Sequence, residues 1–217
     1  MLNLQLWLTR FSEAVQAEFN GRIACIGWQG SRARGEAAPQ SDIDTVVILD
    51  KLSYADLQRY RRLLAKLEHR ELICGFISGR DELYHWSRSE LFQFYHDTRP
   101  MMGSLDFIAP LISETDIRRA IHEGACGIYH ACAHNALHER DIQALKTLFK
   151  SAFFVLQAKH YLATGLYISR RADLLPALNG LDREILESGM HPFAAGTLDE
   201  LSEKLFRWSG MIIRGEL

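Results

Sequence analysis

The chain has 217 residues, of which 47% are hydrophobic and 24% are charged, and its formal net charge is -2 at pH 7. This composition is ordinary for a folded protein and provides enough apolar material for one large domain or two small ones. The slightly negative charge excludes a protein that holds nucleic acid through general positive charge. No apolar run approaches the roughly 20 residues that a membrane span requires.

The N-terminal segment and the cysteines indicate a cytoplasmic protein. The segment "MLNLQLWLTRFSEAV" has no basic start and no small-residue cleavage site, so it predicts an amphipathic helix rather than a signal peptide. Four cysteines, none in C-x-x-C spacing, are too few for a disulfide scaffold and are expected to be reduced thiols.

Strands and a helix alternate in the first half of the chain. Four apolar runs predict strands, at 22–28, 44–50, 71–79 and 101–109, and the second of them is rich in β-branched residues. Between the second and third runs, Ser53 is positioned to cap a helix whose apolar residues follow helical spacing.

After Pro110 the pattern becomes almost entirely helical. One helix is expected from a cap at Ser113 or Thr115 to about His138, another from about Asp141 to Gly165, and a last one in "TLDELSEKLFRWSGMII". These patterns predict an α+β protein with two domains. Residues 1–110 form an α/β domain with a small mixed sheet flanked by helices, and residues 111–217 form a helical bundle.

Two aspartates one residue apart precede the apolar run of the second strand. On a strand, Asp42 and Asp44 project from one face, while Ile43 between them faces the core. Two carboxylates on one face repel each other unless a cation neutralises them. Hard oxygen ligands of this kind suit Mg²⁺, which is usually shared with substrate phosphates. The pair therefore predicts a magnesium site at the start of the strand.

A Gly-Ser turn lies upstream, between the first strand and the segment "SRARGEA". Gly30 allows the backbone to approach a ligand closely, and the start of a helix offers free N–H groups to an anion. Ser31 adds a hydroxyl donor, and Arg32 and Arg34 add positive charge nearby. An anion site followed by a magnesium site is the pattern that a bound nucleoside triphosphate requires.

This pattern resembles the signature of the polymerase-β-like nucleotidyltransferases. It consists of Gly30-Ser31, a gap of ten residues and then Asp42-Ile43-Asp44 in an apolar run. In its two-part layout the chain is similar to the small bacterial enzymes related to aminoglycoside (kanamycin and streptomycin) nucleotidyltransferases. The layout covers most of the chain, but the specific residues lie between Gly27 and Leu49.

This resemblance implies a Mg²⁺-dependent transfer of a nucleoside monophosphate to a hydroxyl, with release of pyrophosphate. ATP, delivering AMP, is the favoured donor, and the acceptor is a small molecule or a protein. Neither a membrane nor a nucleic acid is expected as a partner, and a homodimer is compatible with the sequence. The alternative is a non-catalytic module, of the antitoxin or regulator kind, that keeps the fold and binds a nucleotide or a partner.

The resemblance also implies a third acid on a neighbouring strand and a cation from the helical half. Glu71, at the start of the third predicted strand, is the first candidate for this acid and for the general base, and Asp106 is the second. Lys150, on the long helix of the second half, is the candidate cation for the triphosphate. A carboxylate or a lysine at these positions is also compatible with ordinary surface solvation.

Overall fold

The computed structural model describes residues 2–191 and 196–217, and it shows two units that divide between Ile112 and Ser113. The predicted boundary, after residue 110, lies two residues before this division. The first unit contains the sheet, and the second is helical. The predicted α+β class, with a small mixed sheet flanked by helices and a helical C-terminal region, is confirmed.

The sheet has four strands in the order β3-β2-β1-β4. Strand β1 pairs antiparallel with both β2 and β4, whereas β2 and β3 are parallel. The strands are β1 (Ile23–Gln29), β2 (Ile43–Leu49), β3 (Ile73–Gly79) and β4 (Arg99–Gly103). Because β2 and β3 are parallel, the chain must cross over between them, and this crossover contains a helix.

Within residues 2–112, the described part of the first unit, the α-helices are α1 (Leu4–Phe19), α2 (Gly30–Arg34), α3 (Tyr54–Leu64), α4 (Arg80–His85) and α5 (Arg88–Asp97). The short α2 connects the two central strands. Helix α3 begins at Ser53, which forms a reciprocal capping box with Asp56. The cap predicted at Ser53 is therefore present.

The two faces of the sheet bury different cores. On one face, Ile43 and Val47 of β2 pack with apolar residues of α1 and α3. On the other face, Val46 and Ile48 pack with Leu83 of α4 and Leu91 of α5. The alternation of side chains along β2 assigns each residue to one of these faces.

The second unit consists of helices alone within the residues that the structure describes: α6 (Glu114–His134), α7 (Ile142–Thr164), α8 (Arg171–Leu174), α9 (Gly180–Met190) and α10 (Leu198–Ile213). Ser113 caps α6, and Asp141 caps α7, which ends at Gly165 in a left-handed conformation. Helix α6 does not continue to His138, because a π-helical turn at Asn135–Glu139 follows it. Buried apolar side chains of α7 include Leu145, Phe149 and Phe153.

The first two observed strands are each offset by one residue from the predicted ones, and the third and fourth differ more. The fourth strand runs from Arg99 to Gly103, and the residues after it form turns instead of continuing to residue 109. The third begins at Ile73, because Arg70–Leu72 form a single 3₁₀ turn. In both cases the apolar run extends beyond the segment that pairs with a neighbouring strand.

The structure contains no disulfide among its four cysteines. Cys25 and Cys132 are buried, whereas Cys74 is exposed. Among residues 2–191 and 196–217, no helix has the length and apolar character needed to cross a membrane.

An ion pair joins the start of β1 to the start of α3. Arg22 donates from Nη1 to Oδ1 of Asp56 at 2.8 Å, and the Asp56 side chain is only 7% exposed. The guanidinium and the Ser53 hydroxyl hold the pKa of the Asp56 carboxyl well below its ordinary value of 3.8. Asp50, a second partner of Arg22 at 3.2 Å, is 56% exposed.

We expect Asp56→Asn to lower the free energy of unfolding much more than Asp50→Asn, because the Asp56 carboxylate is buried against Arg22 whereas that of Asp50 is exposed. Folding lowers the pKa of Asp56, so the ionised carboxylate stabilises the folded state. This stabilisation is complete above pH 3.8, the pKa in the unfolded chain, and is lost progressively as the pH falls from there toward the lower pKa of the folded state. Urea unfolding of the wild type and both variants between neutral pH and about pH 3 measures this contribution. Equal losses in the two variants would contradict the assignment.

Candidate active site

The two predicted metal-binding aspartates lie where β2 begins. Asp42 is exposed just before the strand, Asp44 is partly buried within it, and Ile43 between them is fully buried. Ile43 packs on the face of α1 and α3. By alternation, Asp44 faces the side of α4 and α5, and Asp42, two residues earlier, is placed toward the same side.

The backbone at Gly30 fits tightly against the carboxylate of Asp44. Gln29, the residue before Gly30, pairs with Asp44 across the antiparallel ladder. Gly30 has a φ of 74°, and a Cβ atom at this position would overlap the Asp44 carboxylate. Two independent features therefore require glycine at residue 30: the left-handed backbone conformation and the neighbouring carboxylate.

The surroundings of Asp44 disfavour the ionised form of its carboxyl group. Burial raises the pKa of the Asp44 carboxyl above its ordinary value of 3.8, and the negative charge of Asp42 raises it further. The cations of Arg34 and Arg32 oppose this shift but do not cancel it. The protein alone thus leaves the two carboxylates incompletely neutralised.

The side chain of Arg32 holds the loop that leads to the aspartates. Its Nη2 donates to the carbonyl oxygen of Ser41 at 2.6 Å and to that of Pro39 at 3.1 Å, and its Nε donates to the carbonyl of Asp42 at 3.1 Å. This contact set fixes the approach of the chain to β2. The prediction that Arg32 also binds the nucleotide stays a prediction.

Arg34 connects α2 to α5 below the surface. Its side chain is 7% exposed, and Nη1 lies 3.2 Å from Oδ2 of Asp97, which is 8% exposed. Its Nε also lies 3.3 Å from Glu36. A buried ion pair with both partners present is costly to break, so it fixes the short helix that begins with Gly30 and Ser31.

Ser31 is half-buried, and its hydroxyl makes no hydrogen bond within the described parts of the chain. The Ser31 carbonyl, by contrast, accepts from the backbone N–H of Glu36 at 2.9 Å. The backbone is thus fixed while the hydroxyl stays available as a donor to a ligand.

The two candidates for a third acid lie at opposite ends of the sheet. Glu71 is in the turn before β3, at the edge where β2 also begins, with its side chain 68% exposed and 3.6 Å from His69. Asp106 follows β4, which ends at Gly103. Gly103 pairs with Cys25 of β1, and Asp44 pairs with Gln29, four residues further along the same strand. At about 3.4 Å per residue, this end of the sheet is roughly 14 Å from Asp44. The register therefore favours Glu71 over Asp106.

The sheet register reveals two further residues that the sequence analysis did not identify. Cys74 pairs directly with Asp44 on β3 and is exposed, so a thiol occupies the strand position beside the aspartate. Glu90 lies on α5, on the same side of the sheet, where it accepts a hydrogen bond of 2.6 Å from the indole of Trp86. The ring of Trp86 meets Phe76 of β3 edge-on at 5.4 Å. No local motif marks either residue, since both placements depend on the parallel pairing and on the packing of α5.

Lys150 is exposed on α7 in the helical unit, with no hydrogen bond or ion pair to any residue that the structure describes. The prediction that this lysine contacts a triphosphate stays a prediction.

The donor set at the aspartates fits Mg²⁺. Among the described residues, no three His, Cys, Asp or Glu side chains are arranged to hold a metal ion by themselves. Mg²⁺ is usually bound by one or two carboxylates together with substrate phosphates and water, rather than by a cage made only of protein groups. Asp42 and Asp44 supply these two carboxylates, and the unneutralised charge of the pair favours a cation.

Comparison with known proteins agrees with the geometry. Residues 8–84 match the family model of the nucleotidyltransferase domain, a range that includes Gly30, Ser31 and both aspartates. The chain is also similar to the crystal structure of spectinomycin adenyltransferase AAD(9) from Enterococcus faecialis with ATP and spectinomycin. The TM-score is 0.56 at 14% identity, and the alignment covers 94% of this chain and 99% of that chain. A comparison with curated protein sequences gives no match. The predicted resemblance to nucleotidyltransferases is confirmed over residues 8–84, and the similarity to the adenyltransferase structure confirms the fold over the part of the chain that aligns.

The contact between Gly30 and Asp44 can be tested with two glycine substitutions. Gly30 and Gly35 have nearly the same φ, 74° and 72°, but a Cβ at Gly35 would meet no atom within 4 Å. We expect Gly35→Ala to lower the free energy of unfolding by about 1 kcal/mol through the left-handed backbone alone. Gly30→Ala should cost about 1–3 kcal/mol more, because the new methyl displaces the Asp44 carboxylate. Denaturant unfolding of both variants measures the difference, and equal losses would exclude this contact.

Proposed function

We propose that this protein, whose residues 8–84 match the model of the nucleotidyltransferase domain, transfers a nucleoside monophosphate from a nucleoside triphosphate to a hydroxyl group and releases pyrophosphate. ATP is the proposed donor, and the acceptor is a small molecule or a protein side chain. The similarity to an adenyltransferase whose structure was determined with ATP and spectinomycin supports ATP and a small acceptor.

The observation that carries this proposal is the Asp44 carboxylate held against the Gly30 backbone, with Asp42 two residues before it. The pKa of Asp44 is raised by burial and by Asp42, so the isolated site has more negative charge than its surroundings compensate. A site of this kind is stabilised when a divalent cation and a phosphate chain bind together. When bound, Mg²⁺ would stabilise the charge on the phosphate oxygens during transfer.

Each residue of the site then has a defined task. Asp42 and Asp44 hold the cation and through it the triphosphate. Ser31, whose hydroxyl has no partner among the described residues, donates a hydrogen bond to a phosphate oxygen, and Arg32 keeps the loop before Asp42 in place. Glu71 takes the proton of the acceptor hydroxyl.

We expect Asp42→Asn and Asp44→Asn each to lower pyrophosphate release from ATP by a factor of about 10² to 10³, the usual effect of removing a preorganised charged group. Both should also abolish the rise in melting temperature that ATP and Mg²⁺ together produce in the wild type. Neither should unfold the protein, because Asn removes the repulsion between the two carboxylates.

Asp50→Asn is the control for these variants, since this aspartate follows the other end of β2 and pairs with Arg22. It should keep both pyrophosphate release and stabilisation by ATP. ATP stabilisation without pyrophosphate release from the wild type, across a panel of hydroxyl acceptors, would instead support the non-catalytic nucleotide-binding module.

A second pair of variants identifies the general base. Glu71→Gln should lower turnover by about 10²-fold or more while leaving stabilisation by ATP and Mg²⁺ unchanged. Glu90→Gln should have a smaller effect, because the Glu90 carboxylate is already held by the Trp86 indole. Turnover and thermal shift are measured on the same preparations. The reverse order of effects would assign the base to Glu90.

A further inference from the structure

The helical unit contains a small cavity between α6 and α10. Its volume is about 350 Å³, which lies within the range of sites that bind small organic molecules. Helix α6 and the π-helical turn supply Cys132, Ala133, Ala136 and Leu137, and α10 supplies Phe206 together with three polar residues. The wall is therefore mostly apolar, with its polar groups on one helix.

One of these polar residues is Ser202, which is only 5% exposed. Its hydroxyl is buried and has no hydrogen-bond partner within the described residues. The backbone carbonyl of Ser202 is engaged, since it accepts from the Sγ of Cys132 at 3.2 Å. An unpaired buried hydroxyl costs free energy, and a ligand group that bonds to it would recover this cost.

The other two polar residues of the wall are acidic. Asp199 is paired with Arg140, with 3.0 Å between Nη2 and Oδ1. Glu203 forms no ion pair or hydrogen bond with any described residue, and the wall includes no basic side chain. The cavity thus has one carboxylate whose charge is not compensated.

The apolar part of the wall is fixed in place. The ring of Phe206 stacks on Tyr129 of α6 with 4.2 Å between the centroids and 26° between the planes. Phe206 is nevertheless 38% exposed, and Leu137 at the π-helical turn is 75% exposed. This arrangement offers a preformed apolar surface beside a single negative charge.

We infer that this cavity binds a small organic monocation with a compact apolar body and a hydrogen-bonding group within reach of Ser202. The apolar body covers Phe206, Ala133 and Ala136. The cationic group pairs with Glu203, and the hydrogen-bonding group bonds to the Ser202 hydroxyl. Charge complementarity selects a cation over a neutral or anionic molecule of the same shape. This site is independent of the aspartate pair of the first unit.

Three probes with one aromatic skeleton test the inference on the full chain: tyramine, its neutral alcohol tyrosol and the anion 4-hydroxyphenylacetate. We expect tyramine to bind with a Kd of roughly 1 mM or below, tyrosol about tenfold more weakly, and the anion not at all. Isothermal titration measures the affinities of the wild type without any substitution. Failure of tyramine to bind, or equal binding of all three probes, would overturn the inference.

Two variants locate the bound probe. Glu203→Gln should weaken tyramine binding about tenfold, and Ala133→Phe should abolish it by filling the cavity. Glu13→Gln, which removes an exposed carboxylate on α1 that has no described partner, should leave the affinity unchanged. Tyramine binding that survives both cavity variants would place the probe elsewhere and reject the cavity.

The oligomeric state supplies a further check. Size-exclusion chromatography with light scattering should give the same mass for the wild type and for Ala133→Phe. A wild-type dimer that this substitution converts to a monomer would assign the cavity to contact between copies of the chain and would also reject the ligand site.

Discussion

The close approach of the Asp44 carboxylate to the backbone of Gly30 is the constraint on which the candidate site depends. The antiparallel pairing of Gln29 with Asp44 brings the end of β1 to the start of β2. Only a residue without a side chain, in a left-handed conformation, allows the carboxylate to occupy this space. The chain must therefore turn into α2 at this point, which places Ser31 next to the acid pair.

Two arginines of one short helix stabilise this arrangement in different ways. Arg32 binds backbone carbonyls of the loop before β2, whereas Arg34 is buried in a pair with Asp97 of α5. One therefore fixes the loop and the other fixes the helix. Their positive charges also oppose the rise in the pKa of Asp44, which burial and the charge of Asp42 cause, but do not cancel it.

The central part of the site could be predicted from the sequence because its determinants are local. Gly30, Ser31, Asp42 and Asp44 lie at or beside the connection between two consecutive strands, so the sequence alone shows their spacing. Alternation along β2 also predicts that Ile43 is buried between the two acids, and it is fully buried.

The surroundings of the acid pair could not be predicted in this way. Cys74 lies beside Asp44 because of the register in which β3 pairs with β2. The apolar sequence of β3 would permit several registers, so the sequence does not specify this one. Asp106 is at the far end because β4 runs antiparallel to β1 and ends at Gly103. The guanidinium of Arg32 faces carbonyls because of the path that residues 35–42 take, which no sequence pattern specifies.

The different sequence distances of these pairings have a consequence for how the molecule forms. The β1–β2 pairing joins residues 23–29 to residues 43–49, so the turn and both aspartates meet through contacts of short range along the chain. Strand β3 joins only after the crossover of residues 50–72, and β4 joins β1 across some seventy positions. Because loop closure becomes more costly with length, short-range pairings form faster than long-range ones. The turn at Gly30 and Ser31 and the acid pair thus belong to the kinetically favoured nucleus of the first unit, while Cys74 is placed beside Asp44 later.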